Sequence, residues 1–375
     1  MALHAVKERL PPNLSGRIEG FVAPSWAHLS LGFHAGGLLL AGLLGLMWPA
    51  FAAAVSLFLA ISLLGEGTGQ FSLVRWAFPK TASYNLTARM PSDTAQASLI
   101  LVAPLDVPRW RVLNRRWFRF RPLRLVFGSA MSLAIIQLLH ALAKPWGVWT
   151  GTVYGVGLAV LAATVALAAV WHRAGDGRDD GGSPAVLLEL MHRLAETPIP
   201  NLDVWFTFVG CGRQARGGMD AFLALHEKTL TSPCLVIALD DAGRAPLNAV
   251  ISEGSLYPQD HRPTGPALVE RLRWAGVDLD SVDRASPTDA RVALLRGYRS
   301  LAFSGGSTGA SPQAVARAAQ IVEVVSRWYG HDVRRVEGDR DALTAIAAAI
   351  QPEAELELED AAVEPALEAI VEKAV

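Results

Sequence analysis

Acidic residues stand at the ends of apolar segments in the part of the chain that can carry chemistry. Asp106 closes the apolar run 98–106, and Asp240 closes a second run that begins at Pro233. A glycine- and aspartate-rich turn over 175–183 precedes a helical pattern. Because α/β folds place their chemistry at the carboxyl ends of their strands, these acids are predicted to lie at a functional edge of a sheet.

The elements that position these acids follow from hydrophobic periodicity. Apolar residues spaced by three and four predict a helix over 184–196, with Pro184 in its first turn. Residues 202–209 predict a strand, and the loop 210–218 leads into a helix over 219–227. The other predicted elements are strands over 82–89, 98–106, 233–243 and 299–303 and helices over 265–276, 289–297 and 312–329. This alternation predicts an α/β fold with a mostly parallel sheet flanked by helices.

These segments resemble the family-28 metallopeptidases, the zinc aminopeptidase family, over roughly residues 82–108 and 172–330. Asp106 falls at the end of the strand that corresponds to the family's first metal strand. Asp179 lies in a turn that is followed in register by Leu187-Leu-Glu-Leu190, and Asp240 matches the next aspartate ligand. Asp289 echoes a further family segment. The resemblance implies that Asp106, Asp179 and Asp240 are the remains of a ligand or metal cluster.

The chain departs from the family at the positions that bind metal and activate water. Pro104 stands in place of a histidine ligand, and Gly212 and Arg213 replace the catalytic pair of glutamates. The loop 304–311, where the last metal histidine belongs, contains no histidine. A two-metal hydrolytic site needs several nitrogen and oxygen ligands and a general base. The resemblance therefore implies a degenerate member without catalytic residues or bound metal, as in nicastrin, which shares the fold without activity.

Two residues keep alternatives open. Arg213 is expected to pair with the leftover aspartates, either as a structural network or as part of a cleft that holds a polar ligand. His261, in a Gln-Asp-His-Arg loop, is the histidine that could rebuild a site from elsewhere. The alternative to a non-catalytic module is thus an active zinc aminopeptidase with a rearranged site, in which case zinc is the cofactor.

Composition predicts that the chain enters a membrane. The sequence is 51% hydrophobic and 18% charged, with a mean hydropathy of +0.28. A formal net charge of −1 argues against nucleic acid as a partner. The two cysteines, Cys211 and Cys234, form no disulfide framework and fit a reducing compartment.

Two apolar stretches predict four transmembrane helices in two hairpins. Residues 29–64 are almost purely apolar around Trp48-Pro49, and at about 1.5 Å per residue one continuous helix would far exceed the roughly 30 Å membrane core. Residues 125–143 and 147–171 predict the third and fourth spans. Lysines and arginines concentrate away from the hairpin tips. The positive-inside rule therefore places both termini and the soluble domain in the cytoplasm, at an inner or plasma membrane.

A basic and aromatic segment precedes the second hairpin. It predicts a membrane-interface belt that faces anionic headgroups, with a nucleic-acid surface as the less favoured interpretation. The belt consists of Arg109, Trp110, Arg111, Arg115, Arg116, Trp117, Arg119, Arg121 and Arg124. The predicted division of the chain is a cytoplasmic lead-in (1–28), hairpin 1 (29–65), the first strands of the peptidase-like domain (66–108), the belt (109–124), hairpin 2 (125–171), the rest of that domain (172–350) and an acidic tail (351–375).

The function predicted from the sequence is that of a membrane-anchored peptidase-like protein that acts by binding or assembly. Its expected partners are the lipid bilayer and its anionic headgroups, and protein partners or self-association through the transmembrane helices remain open. The belt and a hairpin are inserted between Asp106 and Asp179. The mouth of the cleft is therefore expected to face the membrane surface.

Overall fold

Nine strands form one sheet in the computed structural model of the protein. The structure describes residues 2–24, 30–106, 122–143, 182–211, 216–254, 256–261, 269–273, 277, 279–284, 287–306 and 309–333. The strands are β1 (Gly16–Pro24), β2 (Lys80–Met90), β3 (Ala97–Pro104), β4 (Leu202–Val209), β5 (Cys234–Asp240), β6 (Leu247–Glu253), β7 (Gln259–Asp260), β8 (Asp280–Arg284) and β9 (Arg299–Gly305). Their order is β1-β2-β4-β3-β5-β9-β6-β7, and β8 pairs with β6.

The centre of the sheet is parallel and buried on both faces. β4, β3, β5 and β9 are parallel neighbours, and every residue of β3, β4 and β5 is buried. Successive side chains of a strand point to opposite faces. Leu99 and Leu101 therefore join one core and Ile100 and Val102 the other. This double burial explains why the sequence of these strands is continuously apolar.

Helices cover both faces of this centre. The named helices that pack with the sheet are α1 (Ala2–Lys7), α6 (Gly182–Glu196), α7 (Gly217–His226), α8 (Asp289–Leu295) and α9 (Pro312–Val333). Apolar residues of α6 and α9 share the core that contains Leu99, whereas α7 and α8 share the core that contains Ile100. The predicted α/β fold with a helix-flanked sheet is confirmed. The helical residues 269–273 lie within the predicted helix 265–276, and the rest of that prediction lies largely outside the described residues.

The margins of the sheet differ from the predicted mostly parallel arrangement. β1 and β2, β2 and β4, β6 and β7, and β6 and β9 all pair antiparallel, so the sheet is mixed. The segment 1–28, predicted to be a lead-in outside the domain, contributes β1. That strand pairs with β2 from Gly16↔Ala88 to Pro24↔Lys80. β2 and β3, consecutive in the chain, are separated in the sheet by β4.

Three apolar helices form a second core. They are α2 (Ser30–Leu44), α3 (Pro49–Thr68) and α5 (Pro122–Ala143), and the short α4 (Leu73–Trp76) follows α3. The predicted turn at Trp48-Pro49 separates α2 from α3, with Pro49 opening the second helix. Ser56 donates a hydrogen bond of 2.8 Å to Oε1 of Gln137, and Gln137 donates one of 3.0 Å to the carbonyl of Ala41, which links all three helices.

The prediction of four membrane-spanning helices is not supported. Within the described residues only α3, with 20 residues, is long and apolar enough to cross a membrane. α2 has 15 residues, or about 22 Å at 1.5 Å per residue. The predicted fourth span, 147–171, lies outside the described residues, as do belt residues 109–121 and the acidic tail.

Candidate functional site

The carboxyl edge is the edge of the sheet where β3, β4, β5 and β9 end side by side. Pro104 is in register with Val209, and Asp240 is in register with Ser304. Asp106 follows β3 by two residues. Parallel strands bring their carboxyl ends together, so the fold collects residues that are far apart in the sequence.

Arg284, the last residue of β8, bridges two adjacent carboxylates at this edge. Its Nη2 lies 2.7 Å from Oδ2 of Asp240 and 3.6 Å from Oδ2 of Asp241. Its Nη1 donates a hydrogen bond of 2.9 Å to Oγ of Ser304. Asp240 and Asp241 are buried, and buried carboxylates need a partner of opposite charge. One guanidinium therefore compensates two carboxylates.

Arg216 supplies a second positive charge beside Asp289, the first residue of α8. Its Nη1 lies 3.7 Å from Oδ1 of Asp289, and its Nη2 donates a hydrogen bond to the carbonyl of Pro287. Nη1 of Arg216 and Oδ1 of Asp289 have no hydrogen-bond partner among the described residues. We call Asp240, Asp241, Asp289, Arg216 and Arg284 the acid–arginine cluster.

The environment of Asp289 makes its ionisation costly. Burial raises the pKa of Asp289 to about 6, against the opposing charge of Arg216, and the carboxylates of Asp106, Asp240 and Glu253 raise it further. A carboxyl group feels another charge this way only when the two are close. Asp106 and Asp240, predicted from the sequence to share a site, are thus brought into one electrostatic environment.

A separate group of polar side chains is buried beneath this edge. Nε2 of His261 lies 3.0 Å from Oε1 of Glu253, and Nδ1 lies 3.0 Å from Oγ of Ser300. Glu253 also accepts hydrogen bonds from the amide and the hydroxyl of Thr288, the N-cap of α8. Burial alone would raise the pKa of Glu253. The hydrogen bond and charge of His261, the amide of Thr288 and the charge of Arg216 instead hold that pKa below its usual range.

We call Glu253, His261, Thr288 and Ser300 the buried Glu–His network. It links a serine, a histidine and a carboxylate, as a catalytic triad does, but with the ring nitrogens exchanged: Nδ1 faces Ser300 and Nε2 faces Glu253. Ser300 is only 2% exposed and His261 only 1% exposed, however, and Ser300 lies within β9. Both side chains are closed off from solvent, which favours a structural role for His261 over the rebuilt site that the sequence left open.

The described residues do not fit a zinc site of the kind that the family resemblance implies. Zinc in proteins takes thiolate, imidazole or carboxylate ligands. At the carboxyl edge Pro104 offers no side-chain donor, and Asp240 faces a guanidinium at 2.7 Å. Across the part of the chain that the structure describes, no three His, Cys, Asp or Glu side chains are grouped so as to hold a metal ion. Asp179, Gly212 and Arg213 lie outside the described residues, and their predicted roles stay predictions.

Sequence reasoning missed the residues that neutralise the acids. Arg216 stood in a loop without a distinguishing pattern, and Arg284 ends a strand of sequence Asp-Ser-Val-Asp-Arg that no hydrophobic alternation marks. Arg213 was predicted to pair with the aspartates, and Arg216 and Arg284 do so among the described residues. A weak signal existed for Asp289, which the family resemblance had already matched.

The chain passes between the sheet and the apolar helices at the same carboxyl edge. β1 and β4 both run antiparallel to β2, so Pro24 at the end of β1 and Lys80 at the start of β2 lie at this edge. β3 ends there at Pro104, on the way to α5. α6 begins there too, since its first residue, Gly182, packs on Gly243, which follows the end of β5. A Cβ added to Gly182 would lie 2.7 Å from the Cα of Gly243. The acid–arginine cluster and the apolar helices therefore share one side of the sheet.

Comparisons with known proteins find fold neighbours only. No family model matches the sequence, and no curated protein sequence matches it. BSAP, a zinc aminopeptidase from Bacillus subtilis, superposes with a TM-score of 0.37 and 12% identity over 72% of this chain and 50% of that chain. LapB from Legionella pneumophila superposes with a TM-score of 0.37 and 10% identity over 86% of this chain and 72% of that chain. A Fimbriiglobus ruber glutaminyl cyclase superposes with a TM-score of 0.38 and 13% identity over 65% of this chain and 75% of that chain. The chain spans about half the length of the first of these.

Proposed function

We propose that this protein is a membrane-anchored, non-catalytic binding or assembly module with a peptidase-like fold. The observation that carries the proposal is the position of Arg284, whose guanidinium lies between Asp240 and Asp241 at the end of β5. A hydrolytic metal site requires carboxylates at such a place to face metal ions. Here they face a permanent cation.

The chemical consequence of that arrangement is a loss of water activation. A metal ion lowers the pKa of bound water and stabilises charge in the transition state, and a general base alone contributes about 10²–10⁴ in rate. Arg284 and Arg216 cannot activate water or act as a general base, because a guanidinium stays protonated and offers no lone pair. Carboxylates and guanidinium groups that are already placed can still bind a polar ligand or a chain terminus.

The apolar helices support the anchoring part of the proposal. α3 is long enough to span the membrane core, and large apolar side chains of α2 and α3, such as Leu40, Phe51 and Phe58, are exposed. Exposed apolar surface of this extent is stable in lipid and unfavourable in water. The distribution of lysine and arginine supports a cytoplasmic soluble domain, and the belt of residues 109–124 supports contact with anionic headgroups.

The test of the non-catalytic part is a joint measurement of metal content and hydrolysis. We expect protein purified in mild detergent to contain no stoichiometric zinc. We also expect it to leave aminopeptidase substrates intact when zinc, manganese or cobalt is added. Roughly two metal ions per chain with turnover that chelators and Asp179→Ala abolish would instead establish the alternative, a zinc aminopeptidase with a rearranged site.

The anchoring part has its own test. Membranes washed with carbonate should retain the full-length protein, and reporters fused after Glu66 and at the carboxyl terminus should both report cytoplasm. A reporter signal from the opposite side at either position would contradict the proposed topology, and release of the protein by carbonate would contradict the anchoring.

A further inference from the structure

Arg291 of α8 holds the soluble domain to the end of the candidate membrane-spanning helix. Its Nη2 donates to the carbonyls of Gly67 at 2.9 Å and Thr68 at 3.1 Å, which are the last two residues of α3. The last carbonyls of a helix have no partner within the helix, and a cation there interacts favourably with the helix dipole. Arg291 therefore caps α3 from outside.

The same guanidinium group binds the loop that follows β6. Nη2 also donates to the carbonyl of Tyr257 at 3.4 Å, and Nη1 donates to the carbonyl of Glu253 at 3.5 Å. Gly254 has a φ of +126°, and a Cβ there would lie 2.3 Å from Nη1 of Arg291. The loop is thus fitted closely around the cation that caps α3.

This contact fixes the depth of the loop. α3 has 20 residues, which at about 1.5 Å per residue is the roughly 30 Å needed to cross the membrane core. If α3 spans the bilayer, its last turn lies at the boundary between hydrocarbon and headgroups. The carbonyl of Tyr257 accepts from the same Arg291 nitrogen, Nη2, as the carbonyls of Gly67 and Thr68. The loop around Tyr257 must then lie at the same depth in the bilayer as the end of α3.

We propose that the loop around Tyr257 is a membrane-contact surface of the soluble domain, and that its partner is the headgroup region of the bilayer. The inference rests on the proposed anchoring through α3. The side chain of Tyr257 is 62% exposed, and tyrosine and tryptophan are enriched where membrane meets water. Trp76, on the helix that follows α3, is 81% exposed, and Phe71 is 44% exposed, so the neighbouring surface has the same character.

The consequence for the candidate site is a membrane-proximal position. Arg291 lies two residues after Asp289, so α8 contacts the capped end of α3 on one side and the acid–arginine cluster on the other. A ligand of that cluster would therefore reach it from the membrane surface or along it.

The experiment measures how deep three spin labels lie in reconstituted vesicles of phosphatidylcholine and phosphatidylglycerol. Full-length protein with Cys211→Ser carries one further substitution, Tyr257→Cys, Leu225→Cys or Phe58→Cys. Cys234 is buried, with its pKa raised to about 12, so it stays unlabelled. Leu225 is a matched control, since it is 57% exposed in the last turn of α7, at the opposite end of that helix from the carboxyl edge. Phe58 marks the middle of α3.

Accessibility to oxygen relative to a water-soluble nickel chelate gives the depth of each label. We expect a severalfold higher ratio at position 257 than at position 225, and the highest ratio at position 58. Equal ratios at 257 and 225 with a high ratio at 58 would overturn this inference and leave the anchoring intact. A low ratio at 58 would overturn the anchoring itself, and with it the contact surface. Adding Arg291→Ala should lower the ratio at 257 without changing that at 58.

Discussion

The acid–arginine cluster and the buried Glu–His network both pair carboxylates with basic side chains, but they differ in how completely their polar atoms are hydrogen-bonded. In the cluster, carboxylates at a strand edge are compensated by long arginine side chains, and the facing atoms of Asp289 and Arg216 lack hydrogen-bond partners within the described residues. In the network, Glu253 and His261 are saturated by hydrogen bonds and closed off from water. The acids of the cluster are as buried as the network, so the two differ in hydrogen bonding and not in exposure.

The largest effect should come from removing the carboxylate of the network. Glu253→Ala leaves His261 and the amide of Thr288 buried without their partner, and breaking such a pair costs about 3–5 kcal/mol in free energy of unfolding. Chemical denaturation in mild detergent measures the loss. Glu189→Ala, which removes a half-buried partner of Arg193 on α6, is the control and should cost less than about 1 kcal/mol. Equal losses would mean that the network has no special role.

A somewhat smaller loss should follow from removing the cation of the cluster. Arg284→Met leaves the adjacent carboxylates of Asp240 and Asp241 uncompensated, which we expect to cost about 3 kcal/mol. Adding Asp240→Asn should recover part of that loss, because the two substitutions act on one interaction. The control is Arg273→Met, whose partner Asp280 is exposed. Strictly additive losses in the double variant would show that the arginine and the aspartate do not interact.

The cluster should also make stability depend on pH through Asp289. The pKa of Asp289 is raised from 3.8 to about 6, so the folded state binds a proton more tightly than the unfolded state. Its stabilising contribution is therefore present at low pH and is lost as pH rises from about 4 to about 6. From pH 4.5 to 7.5 the free energy of unfolding of the wild type should fall by about 2 kcal/mol relative to that of Asp289→Asn. A constant difference between the two proteins would contradict this account.

The sequence predicted the centre of the fold better than its margins. β4 was predicted at its observed bounds because most of its eight residues are aromatic or β-branched. β1 and β8 have no such signal, since their burial is partial and their strand character comes from pairing with β2 and β6. That is why the segment 1–28 was assigned to a lead-in.

The candidate site divides in the same way. Asp106 and Asp240 could be placed together because parallel strands fix which edge their ends share. Arg284 could not be placed, because its position depends on the register of β8 against β6, which the sequence of five mostly polar residues does not specify. The burial of Glu253 was hidden for a related reason. A single acid at the end of a strand carries no sign that His261 and Thr288 will enclose it.

The smallest effect distinguishes a structural serine from a nucleophile within the network. Ser300→Ala removes one hydrogen bond to Nδ1 of His261 and should cost about 1 kcal/mol in free energy of unfolding, because the smaller side chain leaves one buried nitrogen without its partner. Ser281→Ala, at an exposed position of β8, should cost nothing measurable and serves as the control.

A fluorophosphonate reagent, which labels activated serines, should leave the folded wild-type protein unmodified, since Ser300 is buried in β9 with no route for a reagent. Labelling that Ser300→Ala abolishes would show that the hydroxyl is both reachable and activated. The assignment of a purely structural role to the network would then be wrong.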